Sequence, residues 1–501
     1  ILFLEDKGYS LTTYNSPKDA LEELKTKDFD IVLLDENMQG ISGIDVLKII
    51  KSNYKYLPVI MITKNEEEWL MEEAIGAHIS NYLTKPVNPS QILMVCKNIF
   101  DNKKIQTDKN IKSFIKYFND ITINSDNIKT VDEWYEVYSN ICNWSINLAD
   151  IEDKNIYNML NDQKKTMNSK FCEFVISNYQ KWINNNQEIL DKPILSHNIF
   201  DDYLKPIISK KRKLIFIIID CLRLDQWKMI SKLFKNDFSI KEDFHLSILP
   251  TATPFARNAI FSGLLPNDLK DNYPDLWKRM YDENKLNGFE DIFFERQLLK
   301  NNFKEVKHKY IKISDFKSGK KFFNKINDYK NIDVLNIVVN FVDILGHSRS
   351  ESKVLSELIP NENAYRKSIF NWFENSWLLD SISTFKNWEN TEIVISSDHG
   401  NTSIDKPQLI KGDQSTSQGV RYKYGRNLRF EGKNTFKIDR PLDYNLPMFD
   451  VNTEYIIAKD NTFFVYNNDY HKFVSMYKKT FQHGGISMDE MIVPLISLNK
   501  K

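Results

Sequence analysis

Acids and imidazoles in this sequence collect where apolar runs stop. Asp398-His399-Gly400 follows the run Ile393 to Ile395, and Asp220 closes the run that starts at Lys213. Asp343 and His347, four residues apart, follow the run that starts at Val334, and His483 precedes the run Met491 to Ile496. Zinc takes carboxylate oxygen and imidazole nitrogen readily, and two zinc ions clamping a phosphoryl group need roughly six or seven such ligands. A single Asp-His-Gly after a strand would be an ordinary surface turn. Four segments of the same kind favour a metal-dependent phosphoryl-transfer site.

A nucleophile is available between them. Thr251-Ala252-Thr253-Pro254-Phe255-Ala256-Arg257-Asn258 reads as a turn into a helix that stops at Gly263. A threonine there lies near backbone N–H donors suited to a phosphoryl oxygen, and metal coordination would supply the alkoxide that a free hydroxyl cannot. Thr251 and Thr253 compete for the role, the loser being a helix cap. Arg257 and Asn258, one turn on, are expected either to touch phosphate oxygens or to be solvated helix surface.

The elements that must position these groups are short β-rich runs separated by helical stretches. That alternation implies a parallel sheet whose ligands gather beyond its carboxyl edge. The order Asp220, Thr253, Asp343, His347, Asp398-His399, His483 resembles the alkaline phosphatase superfamily. Asp220-Cys221-Leu222-Arg223-Leu224-Asp225, with His483-Gly484-Gly485 through Asp489-Glu490 to Pro494, resembles its PglZ branch. The resemblance implies that Asp220, Thr253, Asp398 and His399 ligate one zinc and that Asp343, His347 and His483 ligate the other. It also selects Thr253, because in phosphodiesterases of the superfamily the nucleophile stands about ten residues before the Ser/Thr-Gly ending its helix. His78, His197, His245, His308 and His471 fall outside the pattern and are expected to be structural or exposed.

The first hundred residues carry a second constellation. Asp35 ends the run Asp30 to Leu34, Thr63 ends Leu57 to Ile62, and Lys85-Pro86 follows Ile79 to Thr84, which contains Tyr82. Helical runs, Ser16 to Lys27 and Glu66 to Ile75, lie between. An aspartate, a hydroxyl and a lysine at one sheet edge suit a phosphorylation switch, with the phosphate on Asp35 gripped by Thr63 and Lys85. The trio resembles the flavodoxin-like receiver of response regulators. Glu5-Asp6 invites reading as that fold's magnesium-binding acidic pair, but the run Leu11 to Tyr14, expected as a strand, follows too soon for a crossover of roughly a dozen residues. Ile1 to Lys7 is therefore expected to be the end of a first helix. The first strand and the Mg2+-binding pair would lie upstream, in the full-length protein.

Between these regions, aromatic and apolar residues recur at three-and-four spacing, among them Phe114, Tyr117, Trp134, Tyr138, Met167, Phe171 and Tyr179, which predicts an all-α bundle. The expected organisation is a receiver over 1–103, a helical connector over 104–205, and an alkaline-phosphatase-like α/β domain over 206–501. Residues 408–440 hold eight Lys/Arg against three Asp/Glu, with Tyr422, Tyr424 and Phe430 interleaved. Such a tract suits a single-stranded oligonucleotide, with Arg421, Lys423 and Arg426 as contacts, or else is a solvated loop.

Composition sets outer limits. The chain of 501 residues is 42% hydrophobic and 27% charged, with 68 basic and 68 acidic residues, so no global basic field points to nucleic acid. Cys96, Cys142, Cys172 and Cys221 have neither disulfide nor metal spacing, which suits a reducing cytoplasm, and no run is long enough to cross a bilayer. The whole arrangement resembles the PorX-like family of response regulators associated with type IX secretion in Bacteroidetes. The family implies a sensor histidine kinase, a phosphorylation-promoted homodimer, and a sigma factor or secretion-system protein as downstream partner. A two-zinc phosphodiesterase is the expected output. The rival is a binding module whose zinc site is not catalytic; a transcription factor is less favoured, since no helix-turn-helix pattern stands out.

Overall fold

The computed structural model describes residues 2–501 apart from 39, 65–67, 150, 152, 185–191, 414, 415 and 418, with backbone alone at 2, 68–70 and 101–108. The chain forms two compact units, residues 1–113 and 114–501. No helix among the described residues is long and apolar enough to cross a membrane.

In the first unit, β1 (Val32–Asp35), β2 (Val59–Thr63) and β3 (Asn81–Thr84) form a parallel sheet in that order, with Asp35 beside Ile62 and Thr63 beside Thr84. Buried Leu34, Val59 and Met61 pack on Ile44, Leu47 and Ile50 of the helix Gly43–Asn53. On the other face Ile60 packs with Val95 and Cys96, from the first turns of the helix Pro89–Asn124. Leu2–Glu5 is helical, as expected for Ile1 to Lys7, although residue 1 lies outside the described residues. Leu11–Tyr14 is not a strand. An extended segment becomes a strand only by hydrogen-bonding to a neighbour, and β1 pairs with β2 alone. The helix expected over Glu66 to Ile75 spans Glu68–Gly76, and residues 66 and 67 lie outside the described residues.

The second unit opens with the rest of that long helix and with the helices Val131–Asn147 and Lys154–Ile183. Thr130 and Glu133 form a reciprocal cap at the start of the former, satisfying N–H groups that the helix cannot. The aromatic stripe is core: Phe114 packs edge-on against Trp144 and Trp134 against Phe171, and Tyr138 and Tyr179 are fully buried.

A six-stranded sheet follows, in the order β5 (Phe238–Leu246), β9 (Ile492–Lys500), β8 (Thr391–Ser396), β4 (Lys213–Ile219), β7 (Val334–Val339), β6 (His308–Ile313). β4, β6, β7 and β8 are parallel, and β9 runs antiparallel to both its neighbours. Every residue from Leu214 to Ile219 is buried. Covered on both faces, such strands read as continuous apolar runs. Ile199, Phe200, Leu204 and Ile208 pack on one face with Phe216 and Val338.

The tract between β8 and β9 is neither a loop nor a free basic surface. It folds into two three-stranded sheets, one of Arg429–Phe430, Lys406–Lys411 and Thr462–Tyr466, the other of Tyr422–Gly425, Glu454–Ala458 and Thr435–Ile438. Its aromatics are half-buried: Phe430 packs on the cluster of Ile410, Leu428 and Ile456, and Tyr424 stacks at 4.4 Å on the exposed Phe449.

Candidate metal centre

Asp220 directly follows β4, its N–H donating to Val339 O at 2.9 Å. Asp398 and His399 follow β8, and His483 lies in the turn before the helix Met488–Met491 and β9. The run from Val334, read as a strand up to Asp343, divides: the ladder stops at Val339 and the helix Phe341–Glu351 begins. Asp343 and His347 therefore stand one turn apart on a single helix face. All six residues meet beyond the carboxyl edge of the sheet, in two groups. In each of Asp220–Asp398–His399 and Asp343–His347–His483 the ligand atoms lie within 4.8 Å of one another.

The first group is buried, and the protein engages one oxygen of each carboxylate and leaves the other without a hydrogen bond. Asp398 Oδ1 accepts from the N–H of Cys221 at 3.3 Å and of His399 at 3.1 Å, while Oδ2 has no hydrogen-bond partner. Asp220 Oδ2 accepts from Arg257 Nη1 at 2.7 Å, while Oδ1 has none. His399 Nδ1 lies 3.1 Å from Gly400 O, which assigns the ring proton to Nδ1. Its Nε2 lies 3.9 Å from Asp220 Oδ1, 3.8 Å from Asp398 Oδ2 and 3.0 Å from Thr253 Oγ1. Two buried, unpartnered carboxylate oxygens are costly unless a proton or cation neutralises them. Burial, with Asp398 beside it, pushes Asp220 up to about 8. Burial also raises Asp398 and lowers His399. The donor set fits a divalent cation that prefers oxygen and imidazole.

In the second group Asp343 Oδ1 stands 3.3 Å from His347 Nε2 and 3.6 Å from His483 Nε2. Burial works to raise Asp343, but the His347 hydrogen bond and the surrounding imidazoles hold it below the usual carboxylate range. His347 is raised by the same hydrogen bond. Burial, then His399, pushes His483 down to about 3, and the rings of His399 and His483 stack at 4.2 Å. His483 and His399 thus stay neutral, the form in which imidazole binds metal.

The two threonines take different places. Thr253 is the first residue of the helix Thr253–Ser262, with its hydroxyl on His399. Thr251 is buried, donates to Gly485 O at 2.7 Å and accepts from Gly484 N–H at 3.1 Å. It fastens the turn that carries His483 rather than capping a helix; Ala252 holds the cap position. Few N–H donors remain for a phosphoryl oxygen at this terminus, because Pro254 has none and those of Phe255 and Ala256 both go to Ala252 O.

Several expected substrate contacts lie elsewhere. Arg257 is buried, donating from Nε to Glu290 Oε1 at 2.6 Å besides its bond to Asp220. Asn258 is buried, with Nδ2 on Pro254 O and Leu286 O. Helix spacing left open which face was covered; here almost every residue after Pro254 is buried. Arg421 is fully buried in an ion pair with Glu490. Lys423 is 3% exposed and lies 4.6 Å from the centre of the Tyr466 ring. Arg426 is exposed but sits 3.1 Å from Asp450. Arg421 and Lys423 are therefore interior residues of the β insertion and not part of an open basic face.

Glu290 escaped notice in the sequence. It joins Arg257, Asn287 and the Tyr310 hydroxyl, and no local pattern ties it to Asp220. In the first unit, the Asp35 carboxylate pairs with Lys85, Lys85 N–H donates to Thr63 O at 2.6 Å, and Asn37 N–H donates to Asp35 Oδ1 at 3.2 Å. Thr63 is buried and Tyr82 lies on β3, both on the same sheet.

Residues 199–498 match the family described as the BREX system PglZ alkaline phosphatase-like domain. Residues 2–97 match the response regulator receiver domain and 104–183 the PorX response regulator linker domain. The chemotaxis protein CheY-3 of Vibrio cholerae is 37% identical over 101 residues, 20% of this chain and 78% of that protein. The alkaline phosphatase synthesis transcriptional regulatory protein PhoP of Bacillus subtilis is 26% identical over 137 residues, 27% of this chain and 55% of that regulator. A solved structure of Vibrio cholerae CheY4 is 27% identical and covers 19% of this chain and 82% of its own, with a TM-score of 0.19. By the extent of the first match, the chain belongs to the PglZ alkaline phosphatase-like family, and its receiver, linker and PglZ domains together are those of a PorX-like response regulator.

Proposed function

We propose that the second unit is a two-zinc phosphoric diester hydrolase governed by phosphorylation of Asp35. The reading rests on one observation: the Thr253 hydroxyl lies 3.0 Å from His399 Nε2, at the edge of two adjoining Asp/His groups whose ligand atoms converge. Asp220, Asp398, His399 and Thr253 would hold one ion, and Asp343, His347 and His483 the other. Two divalent ions there would polarise phosphoryl oxygens and make the threonine hydroxyl acidic enough to attack. The chain's own part is placement. The helix start fixes Thr253, the Gly400 carbonyl keeps the His399 proton on Nδ1, and the Cys221 N–H and Arg257 each turn one carboxylate oxygen outward. Thr253, having lost its proton, would attack phosphorus and expel the leaving alkoxide, which takes up a proton; water would then cleave the phosphothreonine, releasing the phosphate monoester and restoring the Thr253 hydroxyl.

The receiver would take phosphate on Asp35 from a sensor histidine kinase and pass the signal on by dimerising, with type IX secretion as its setting. The test is metal content together with hydrolysis of bis(4-nitrophenyl) phosphate and 4-nitrophenyl phosphate. Close to two zinc ions per chain, faster diester than monoester cleavage, and loss of turnover in Thr253→Val support the reading. Full activity in metal-free protein overturns it.

A further inference from the structure

The Asp489 side chain joins the metal-bearing turn to the two linker helices. Its Oδ1 accepts from the Tyr138 hydroxyl at 2.8 Å, out of the helix Val131–Asn147. Its Oδ2 receives Lys164 Nζ at 2.9 Å, out of the helix Lys154–Ile183, and the Thr402 hydroxyl at 3.3 Å. Lys164 also reaches Glu362 Oε2 at 3.1 Å. Behind it Arg366 Nη1 lies 3.1 Å from Asp225 Oδ2, and Arg366 Nη2 donates to Ser145 O at 2.9 Å. Of the Asp489 carboxylate's partners, the linker supplies both the cation, Lys164, and the nearest hydroxyl, Tyr138.

From Asp489 to the metal centre the path is backbone. Gly400, next to His399, lies so close to this segment that a Cβ on it would sit 1.9 Å from Asp489 O. Gly400 N–H donates to Glu490 O at 3.0 Å, and Gly400 O lies 3.1 Å from His399 Nδ1. A backbone shift at Asp489 therefore meets the Gly400 backbone directly, in the residue whose carbonyl orients the imidazole. Groups that orient a metal-binding histidine from behind are worth 10–100-fold in metal affinity as a rule.

We propose that Asp489 is a positioning residue through which the linker helices, by Tyr138 and Lys164, set the His399 turn, so that a displacement of those helices changes metal affinity at the Asp220–Asp398–His399 group. The proposal rests on the reading of that group as a metal site and adds the route by which it is regulated. The linker would then act as a regulator of metal occupancy and not as a spacer.

The test uses the full chain and zinc alone, titrated against a chromophoric chelator, beside thermal unfolding of the metal-free protein. Tyr138→Phe and Lys164→Met are each expected to weaken one of the two zinc sites by roughly three- to tenfold, being one step further removed than the direct supports of a ligand. Lys164→Arg should restore most of the affinity. Tyr117→Phe, whose hydroxyl meets only Val137 O at 3.4 Å, is the control and should leave zinc binding unchanged. If Tyr138→Phe and Lys164→Met lower the unfolding temperature yet bind zinc like the wild type, the link is merely structural and the proposal falls, while the metal reading stands. If the wild type binds no zinc, the metal reading falls and takes the proposal with it.

Discussion

Arg257→Met separates a guanidinium that serves the metal centre from one that serves substrate. Arg257 Nε lies 2.6 Å from Glu290 Oε1, and Nη1 lies 2.7 Å from Asp220 Oδ2 and 3.7 Å from Asp398 Oδ2, with all four side chains 3% exposed or less. Removing one partner of a buried ion pair costs about 3–5 kcal/mol, because the remaining charge is left without compensation. Without metal, Asp220 is pushed up to about 8 and carries a proton at neutral pH, so the loss comes chiefly from Glu290. The lower end, about 3 kcal/mol, follows. For a unit as large as residues 114–501 that is about 4 °C in unfolding temperature. Arg257 also leaves Asp220 Oδ1 clear for a cation, and losing such a support weakens metal binding by about 10–100-fold as a rule, so excess zinc should stabilise the variant less than the wild type and widen the gap. Scanning calorimetry with and without zinc measures both numbers. Adding Glu290→Gln should recover more than half of the metal-free loss, as a coupled pair requires. A fall under about 1 °C, or the same fall with and without zinc, would refute the placement of Arg257.

Zinc affinity should rise with pH. The metal-free Asp220 holds its proton up to about 8, and a cation must displace it, so apparent affinity at that group should climb up to tenfold per unit between pH 6 and 8 and then level off. An affinity flat over that range contradicts the raised carboxyl. The same shift has the opposite sign for folding: the native state binds a proton that the unfolded chain has lost, so metal-free stability should decline from about pH 4 to 8 in urea titrations. Thr251→Val strands the Gly484 N–H and Gly485 carbonyl and should cost about 1–3 kcal/mol in urea unfolding. Asp35→Ala removes the partner of Lys85 and the acceptor for phosphate, and should abolish any dimerisation that a small phosphodonor induces, read by light scattering. Persistence of the response would remove Asp35 from the switch.

The fold class could be read from the sequence because its signal is local. An apolar run ending in an acid marks a buried strand and the edge where ligands gather, as at Ile215–Asp220 and Ile393–Asp398. What could not be read depends on partners far along the chain. Arg421 looks like a surface base until Glu490, 69 residues later, is seen to neutralise it. Arg257 looks like a phosphate ligand until Glu290 and Asp220 enclose it. Leu11–Tyr14 has the composition of a strand but not the neighbour that makes one. Thr251 and Thr253 stand two residues apart, and only packing separates a hydroxyl on Gly484 and Gly485 from one on His399.

The position of β9 has a consequence for how the molecule is made. The last strand in the sequence lies inside the sheet, between β5 and β8, and the His483 turn and Asp489 immediately precede it. During synthesis β5 and β8 emerge first and have no direct contact to make, so that side of the sheet stays open until Ile492–Lys500 arrives. The second Asp/His group is likewise incomplete until His483 has been added. Until that strand has emerged, the nascent chain carries open strand edges, the usual opening for aggregation. Closure of the sheet beside the Asp/His groups therefore waits for Ile492–Lys500: a product truncated before Ile492 would lack the strand that joins β5 to β8.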